Sequence, residues 1–273
     1  SIALYEGMKD KRLSNYQEVT RLEGLGDTYR NTNAVDKAIS FYQDALTLSE
    51  KHLFTPKVTD LNSKIGEAYD AKGAVEPAQD YYENSLNLAN NENRKRAAEE
   101  KTKVADFFNK NREFDQEIEL RQQALDDIEI LATEDEAAAP AQESALTAQK
   151  QNYKIASAYA SQRNFSEAIT FLKKSIAEAE TDKDLIVQKD ATRKLGELYR
   201  EIGDIRKAEA TFKDYEVIVD KLYVQKEQEI SQAARFSRDL ALTQTRIESL
   251  ETDRELNESR YRLAVENQTL VRE

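Results

Sequence analysis

Apolar residues recur every three or four positions along most of the chain, the spacing that places them on one face of an α-helix. These stretches come in pairs, and a short polar turn such as Asn31-Thr32-Asn33 separates the two members of the first pair. Corresponding positions are Leu25, Ile65, Val104, Ile155 and Leu195, so the pattern returns after 40, 39, 51 and 40 residues. Self-similarity at such intervals indicates a repeat architecture, and the helical period makes the predicted fold all-α.

Each repeat carries the same short sequence motif, which is clearest in its first and last copies. Leu25-Gly26-Asp27-Thr28-Tyr29 is followed by Ala38 and Tyr42, and Leu195-Gly196-Glu197-Leu198-Tyr199 is followed by Ala208 and Phe212. The third copy is the weakest, because Glu117 and Arg121 stand where the other copies have alanine and a bulky apolar residue. We expect the small residue to let the first helix of a pair approach the second closely.

This register resembles the tetratricopeptide repeat (TPR) family, in which an apolar–small pair is followed by an aromatic, an alanine, a second aromatic and a second alanine. The resemblance covers residues 19–218. It implies a right-handed solenoid of antiparallel helix pairs, in which each repeat buries its apolar face against its neighbours. The repeats exceed the family's usual length of about 34 residues, which predicts extended helices.

The register divides the chain into three parts. Residues 1–18 are predicted to be a partial helix of a preceding repeat, and residues 221–273 a long helix or coiled-coil linker, since neither Gly nor Pro occurs after Gly203. Between them, an inserted loop near 133–141 accounts for the one long interval. The five predicted repeats are about 19–58, 59–97, 98–148, 149–188 and 189–220.

The predicted C-terminal helix carries an imperfect coiled-coil seam. Its spacing of three and four residues is typical of helices that associate in parallel pairs, so we expect a homodimer through this helix. A phase break falls between Leu250 and Leu256, where Arg254 and Asn257 interrupt the apolar stripe. The candidate dimer seam is Phe236, Leu240, Ile247, Leu250, Leu256, Leu263 and Leu270.

Composition narrows the classes of function. The net charge of −12 argues against nucleic-acid binding, since phosphates would be repelled. No apolar run approaches the length of about 18 residues that a membrane span needs. Cysteine is absent and His52 is the only histidine, so thiolate and histidine chemistry have no basis here. We therefore expect a non-enzymatic protein without a cofactor or metal.

In the TPR family the concave side of the solenoid is lined mainly by the first helix of each pair. Members that clamp a terminal carboxylate have Lys and Asn at the positions of Glu23 and Asp27, so the resemblance argues against chaperone-tail binding. The acidic character of the first three repeats predicts a protein or peptide partner of basic or mixed charge; the alternative is a face that is only solvated. The candidate binding residues are Glu23, Asp27, Arg30, Glu67, Asp70, Asp106, Asn109, Tyr153, Arg193, Glu197 and Arg200.

The order of repeats followed by an uninterrupted charged helix resembles the input region of bacterial signalling proteins, including TPR-containing sensor histidine kinases. This resemblance implies a sensory module that couples ligand binding to an output domain outside the chain. It leaves two compartments open, the periplasmic part of a membrane protein or a cytoplasmic regulator. The alternative function is a scaffold or co-chaperone-type adaptor without signalling output.

Overall fold

The computed structural model describes residues 2–8, 13–134 and 146–270, and every regular element within these ranges is an α-helix. The predicted all-α class is confirmed. The helices are α1 (Ile2–Glu6), α2 (Asn15–Asn31), α3 (Val35–Lys51), α4 (Thr55–Lys72), α5 (Val75–Glu92), α6 (Arg94–Lys110), α7 (Phe114–Glu134), α8 (Ala148–Ser161), α9 (Phe165–Thr181), α10 (Leu185–Glu201) and α11 (Ile205–Leu270).

The helices pack as consecutive hairpins, α2 with α3, α4 with α5, α6 with α7, and α8 with α9, and each hairpin also packs on the next. The start of α11 completes a fifth hairpin, because Ala208 and Phe212 pack in one apolar cluster with Leu195 and Tyr199 of α10. The predicted TPR solenoid is therefore the architecture of this part of the chain. Within it, the first helix of each hairpin is α2, α4, α6, α8 or α10.

Residues in left-handed backbone conformation end the first helix of every hairpin. Gly73 and Gly203, whose place between the two helices of a repeat predicts this role, have φ angles of 78° and 83°. A glycine adopts this conformation without the steric cost that a Cβ atom imposes. In the other three hairpins Asn33, Arg112 and Arg163 hold the same position at φ angles near 61°.

Gly26 shows why the first helix of a hairpin needs a small residue. A Cβ atom on Gly26 would lie 2.3 Å from Cε1 of Tyr42, and one on Gly196 would lie 2.9 Å from Cε1 of Phe212. The aromatic ring of the second helix thus occupies the space beside the glycine. The third and fourth hairpins have Ala at this position, and there the facing residue is not aromatic but Arg121 or Leu172.

Two predicted boundaries fall close to helix ends. Helix α2 begins at Asn15, four residues before Val19, because Ser14 forms a capping box with Gln17. Of the loop predicted near 133–141, residues 133 and 134 belong to α7, which continues to Glu134, and residues 135–141 lie outside the described residues.

Helix α11 continues for 66 residues, so the predicted long C-terminal helix is confirmed. The chain divides between Tyr215 and Glu216 into two compact units, which are described separately below. No helix among the described residues combines the length and apolarity that crossing a membrane requires.

Candidate functional site

The first helices carry an interlocked set of charged side chains, here called the first-helix face and defined by the eleven candidate binding residues above. Glu23 of α2 is buried and accepts hydrogen bonds from Lys57 Nζ at 2.6 Å and Lys64 Nζ at 2.8 Å. Lys64 also lies 2.9 Å from both carboxylate oxygens of Asp27. The Tyr42 hydroxyl donates to Asp27 Oδ1 at 2.7 Å. Two acidic residues of the first hairpin are thus bound by two lysines of the second hairpin.

The electrostatics of this cluster favour its ionised form. Burial opposes ionisation of Glu23, but hydrogen bonds from Lys57 and Lys64 outweigh that cost and hold its pKa below the usual range. Burial likewise opposes the charge on Lys64, yet the hydrogen bonds that it donates to Glu23 and Asp27 raise its pKa. Burial and the hydrogen bond to Asp27 raise the pKa of Tyr42, so its hydroxyl remains a neutral donor.

Further ion pairs continue from one first helix to the next, joining α2 to α4, α4 to α6 and α6 to α8. Most of the carboxylates expected to attract a partner are therefore already paired, and this part of the face presents much less free negative charge than its composition suggests. The sequence pattern misses these pairs because the two partners lie in different repeats. The pairs are Arg30 with Glu67, Asp70 with Lys110 at 2.8 Å, and Asp106 with Lys154 at 2.6 Å.

The third hairpin contains a buried polar cluster centred on Arg121, whose side chain is fully buried. Arg121 Nε donates to Glu117 Oε1 at 2.8 Å, Nη1 to Gln151 Oε1 at 3.0 Å, and Nη2 to Asp106 Oδ1 at 2.6 Å. Asn109 donates to the other oxygen of Glu117 at 2.7 Å. Asn109 and Asp106, predicted as groove residues, thus also hold this hairpin together.

The last first helix, α10, leaves charge available. In α10, Arg193 lies 3.7 Å from Glu197 and both are substantially exposed. Arg200 is exposed and forms no ion pair or side-chain hydrogen bond with any described residue. Tyr153 of α8 is half-buried, and burial together with nearby Asp190 raises its pKa. This end of the first-helix face can make new polar contacts without breaking buried ones.

The second unit, from Glu216 onward, presents apolar side chains to solvent. Phe236 is 71% exposed and Leu240 is 61% exposed, and Ile247, Leu250 and Leu256 are also exposed. The side chains of Leu263 and Leu270, the last two predicted seam residues, lie outside the described residues.

Comparison with known proteins agrees with this geometry. Two family models described as tetratricopeptide repeat match residues 22–53 and 152–182, which fall in the first and fourth hairpins. These hairpins are tetratricopeptide repeats. No curated protein is significantly similar to the chain in sequence.

Solved structures share the solenoid at low sequence identity, which shows the fold alone. The chain is similar to BtubC (BKLC) from P. vanneervenii, with a TM-score of 0.61 and 19% identity over 82% of this chain and 88% of that one. It is also similar to apo RapI, with a TM-score of 0.66 and 15% identity over 80% of this chain and 58% of that one. A third relative is the STAND signal transduction ATPase PH0952 from Pyrococcus horikoshii, with a TM-score of 0.63 and 14% identity over 78% of this chain and 32% of that one.

Proposed function

We propose that the chain is a non-catalytic protein- or peptide-binding sensory module of a bacterial signalling protein, and that the partner binds at the α8–α10 end of the first-helix face. The observation that carries this proposal is the contrast along that face. Glu23 and Asp106 are held by cations of the same chain, whereas Arg193, Glu197 and Arg200 remain exposed. The mixed charge of this end suits a partner that carries both signs.

One of the similar structures supports a role in signalling. The protein PH0952 is described as a signal transduction ATPase with a tetratricopeptide repeat sensor, and its repeats resemble this chain in fold. The repeat array alone also suits a scaffold without output, so the coupling to an output domain rests on α11.

We infer that α11 carries the signal and that two copies of the chain pair through it. The exposed apolar residues from Phe236 to Leu256 have the spacing of a coiled-coil seam and no partner within the described unit. Ligand binding would then change the geometry of the pair and move the helix as a rotation or register shift. Replacement of Arg254 and Asn257 by leucine removes the phase break, so it should alter the output of the full protein; an unchanged output contradicts the coupling and favours a scaffold.

Site-specific photo-cross-linking tests the binding surface. A photoreactive amino acid is placed at Ser157, one turn after Tyr153 on α8, or at Arg200 of the first-helix face. The exposed controls on second helices are Lys173 of α9 and Arg206 of α11. We expect the first two positions to capture the same partner in cells that make the protein, and the control positions to capture none. Equal capture at all four positions, or capture at the controls alone, would show that the first-helix face is not the binding surface.

A further inference from the structure

A groove on the other side of the third and fourth hairpins has features that the proposed function does not use. It lies between α7, α8 and α9 and has a volume of about 840 Å³, within the range of sites that hold several side chains of a ligand. Its floor is apolar and is formed by Leu125, Ile128 and Phe171, of which the last two are buried. We call it the α7–α9 groove.

Acidic side chains surround this floor, and they lack the cations that pair with acids on the first-helix face. Asp126 and Glu129 of α7 are exposed and form no ion pair with any described residue. Glu178 of α9 accepts a hydrogen bond from Asn152 Nδ2 at 2.8 Å but is not ion-paired within the described part of the chain. Burial, with help from nearby Asp182, raises the pKa of Glu178.

Lys174 is the cation that lines the groove, and it offsets only part of this charge. Its Nζ lies 4.9 Å from the centre of the Phe171 ring, which is the geometry of a cation–π contact. Its charge also acts to lower the pKa of Glu178, but burial and Asp182 outweigh that effect. The α7–α9 groove therefore combines an apolar floor with three acidic groups and one cation. Among charged ligands, this arrangement favours one that brings positive charge and an apolar side chain together.

We propose that the α7–α9 groove is a second docking site, which binds a basic amphipathic segment of a partner protein. An apolar side chain of that segment packs on Phe171 and Leu125, while its Lys or Arg side chains pair with Asp126, Glu129 and Glu178. Because Asn152 fixes the Glu178 carboxylate, one of these pairs forms at a defined place, and the two exposed acids add attraction along the rim.

Selection from a displayed peptide library tests the proposal directly. A library of random twelve-residue peptides is selected on the complete chain after depletion on the triple variant Asp126→Asn, Glu129→Gln and Glu178→Gln. We expect enriched peptides to combine at least two basic residues with an apolar residue. Each enriched peptide should bind the triple variant about tenfold more weakly, since several partly exposed ion pairs are lost.

A matched variant separates the groove from the net charge of the chain. Glu76→Gln, Asp80→Asn and Glu83→Gln remove the same three charges from exposed positions on α5, so binding of the selected peptides should be unchanged. Ala132→Lys, at an exposed position that lines the groove, should also weaken binding by placing bulk and positive charge there. Melting curves of all variants verify that they fold.

Four results would overturn this docking site. Three of them are the enrichment of acidic or uncharged peptides, the absence of any enriched peptide, and an equal loss of binding in the α5 variant. A fourth is binding that appears only when residues 135–145 are replaced by a short glycine linker, because the occupant would then be this chain itself. Cross-linking at Ser157 and Arg200 is independent of these results. Binding on the first-helix face and docking in the α7–α9 groove can therefore be refuted separately.

Discussion

Arg121 stands where the other hairpins have Tyr42, Tyr82, Leu172 or Phe212, and it keeps the contact that the tyrosine of the first hairpin makes. Tyr42 donates to Asp27, and Arg121 donates to Asp106, which occupies the position of Asp27 in the third repeat. Replacement of an aromatic residue by arginine therefore preserves a link from the second helix to an acidic residue of the first. Glu117 and Gln151 accept hydrogen bonds from the other two guanidinium nitrogens, so each nitrogen of this fully buried group has a partner.

The Arg121 cluster leads to a double-mutant prediction. Arg121→Leu leaves Glu117 buried without its cation, and we expect the free energy of unfolding to fall by about 3 kcal/mol. Adding Glu117→Ala to Arg121→Leu should recover most of this loss, since Ala168 and Leu172 fill the same two positions in the fourth hairpin. Urea unfolding of both variants measures the difference. A double variant as unstable as the single one would show that the buried charge is not the cause.

Two glutamates are expected to affect stability with opposite signs. The folded-state pKa of Glu23 is lowered, so its stabilisation is present above the unfolded pKa of about 4.3 and disappears as pH falls through the folded value. The folded-state pKa of Glu178 is raised, so the charged residue costs stability at neutral pH, and this cost disappears below its unfolded pKa.

At pH 7 we therefore expect Glu23→Gln to lower the free energy of unfolding by about 1–2 kcal/mol, because Lys57 loses its acceptor. Glu178→Gln should raise it by about 0.5 kcal/mol. Both differences should shrink as the pH is lowered towards 3. Unfolding curves at several pH values check this, and a destabilising Glu178→Gln variant would contradict the assigned burial cost.

For single residues, the sequence predicts backbone and packing roles better than it predicts charge pairs. Gly73 and Gly203 are predicted from their place after the first helix, because a positive φ favours glycine there. The close approach of the two helices at Gly26 is predicted from the repeated sequence motif. The partners of Glu23 are not predictable in this way, since Lys57 and Lys64 lie 34 and 41 residues away and belong to another hairpin.

The helices follow from the apolar period, and their ends from local capping. The Asn93, Asn164 and Asp184 side chains each accept from a backbone N–H at the start of α6, α9 and α10. The start of α2 at Asn15 shows the limit of the repeat register, because the capping box at Ser14 lengthens the helix beyond the repeated positions. The apolar periodicity thus determines where a helix forms, and individual caps determine how long it is.

Helix α11 offers a matched pair of substitutions for the proposed dimer. Leu240 and Leu242 are exposed to nearly the same extent, 61% and 63%, but only Leu240 lies on the seam. Leu240→Asp should dissociate the dimer, since it places a charge in each coiled-coil contact, whereas Leu242→Asp should leave it intact. Multi-angle light scattering of the full chain gives the mass. A monomeric native chain, or equal dissociation by both variants, would contradict the predicted dimer seam.

In the array from Asn15 to Tyr215, each hairpin contacts mainly its neighbours in sequence, as expected for a solenoid. Charge pairs add to this nearest-neighbour packing along α2, α4, α6 and α8. The chain thus uses much of its charge to hold successive repeats together, whereas charged side chains at α10 and in the α7–α9 groove remain exposed.

Hydrogen–deuterium exchange of the complete chain, with and without the partner captured at Ser157 or Arg200, tests the proposed function most directly. Exchange reports where backbone amides are protected on binding. We expect slower exchange in α8 and α10 when the partner is added, and unchanged exchange in α3 and α5. Protection confined to the second helices, or no protection in α8 and α10, would contradict binding on the first-helix face.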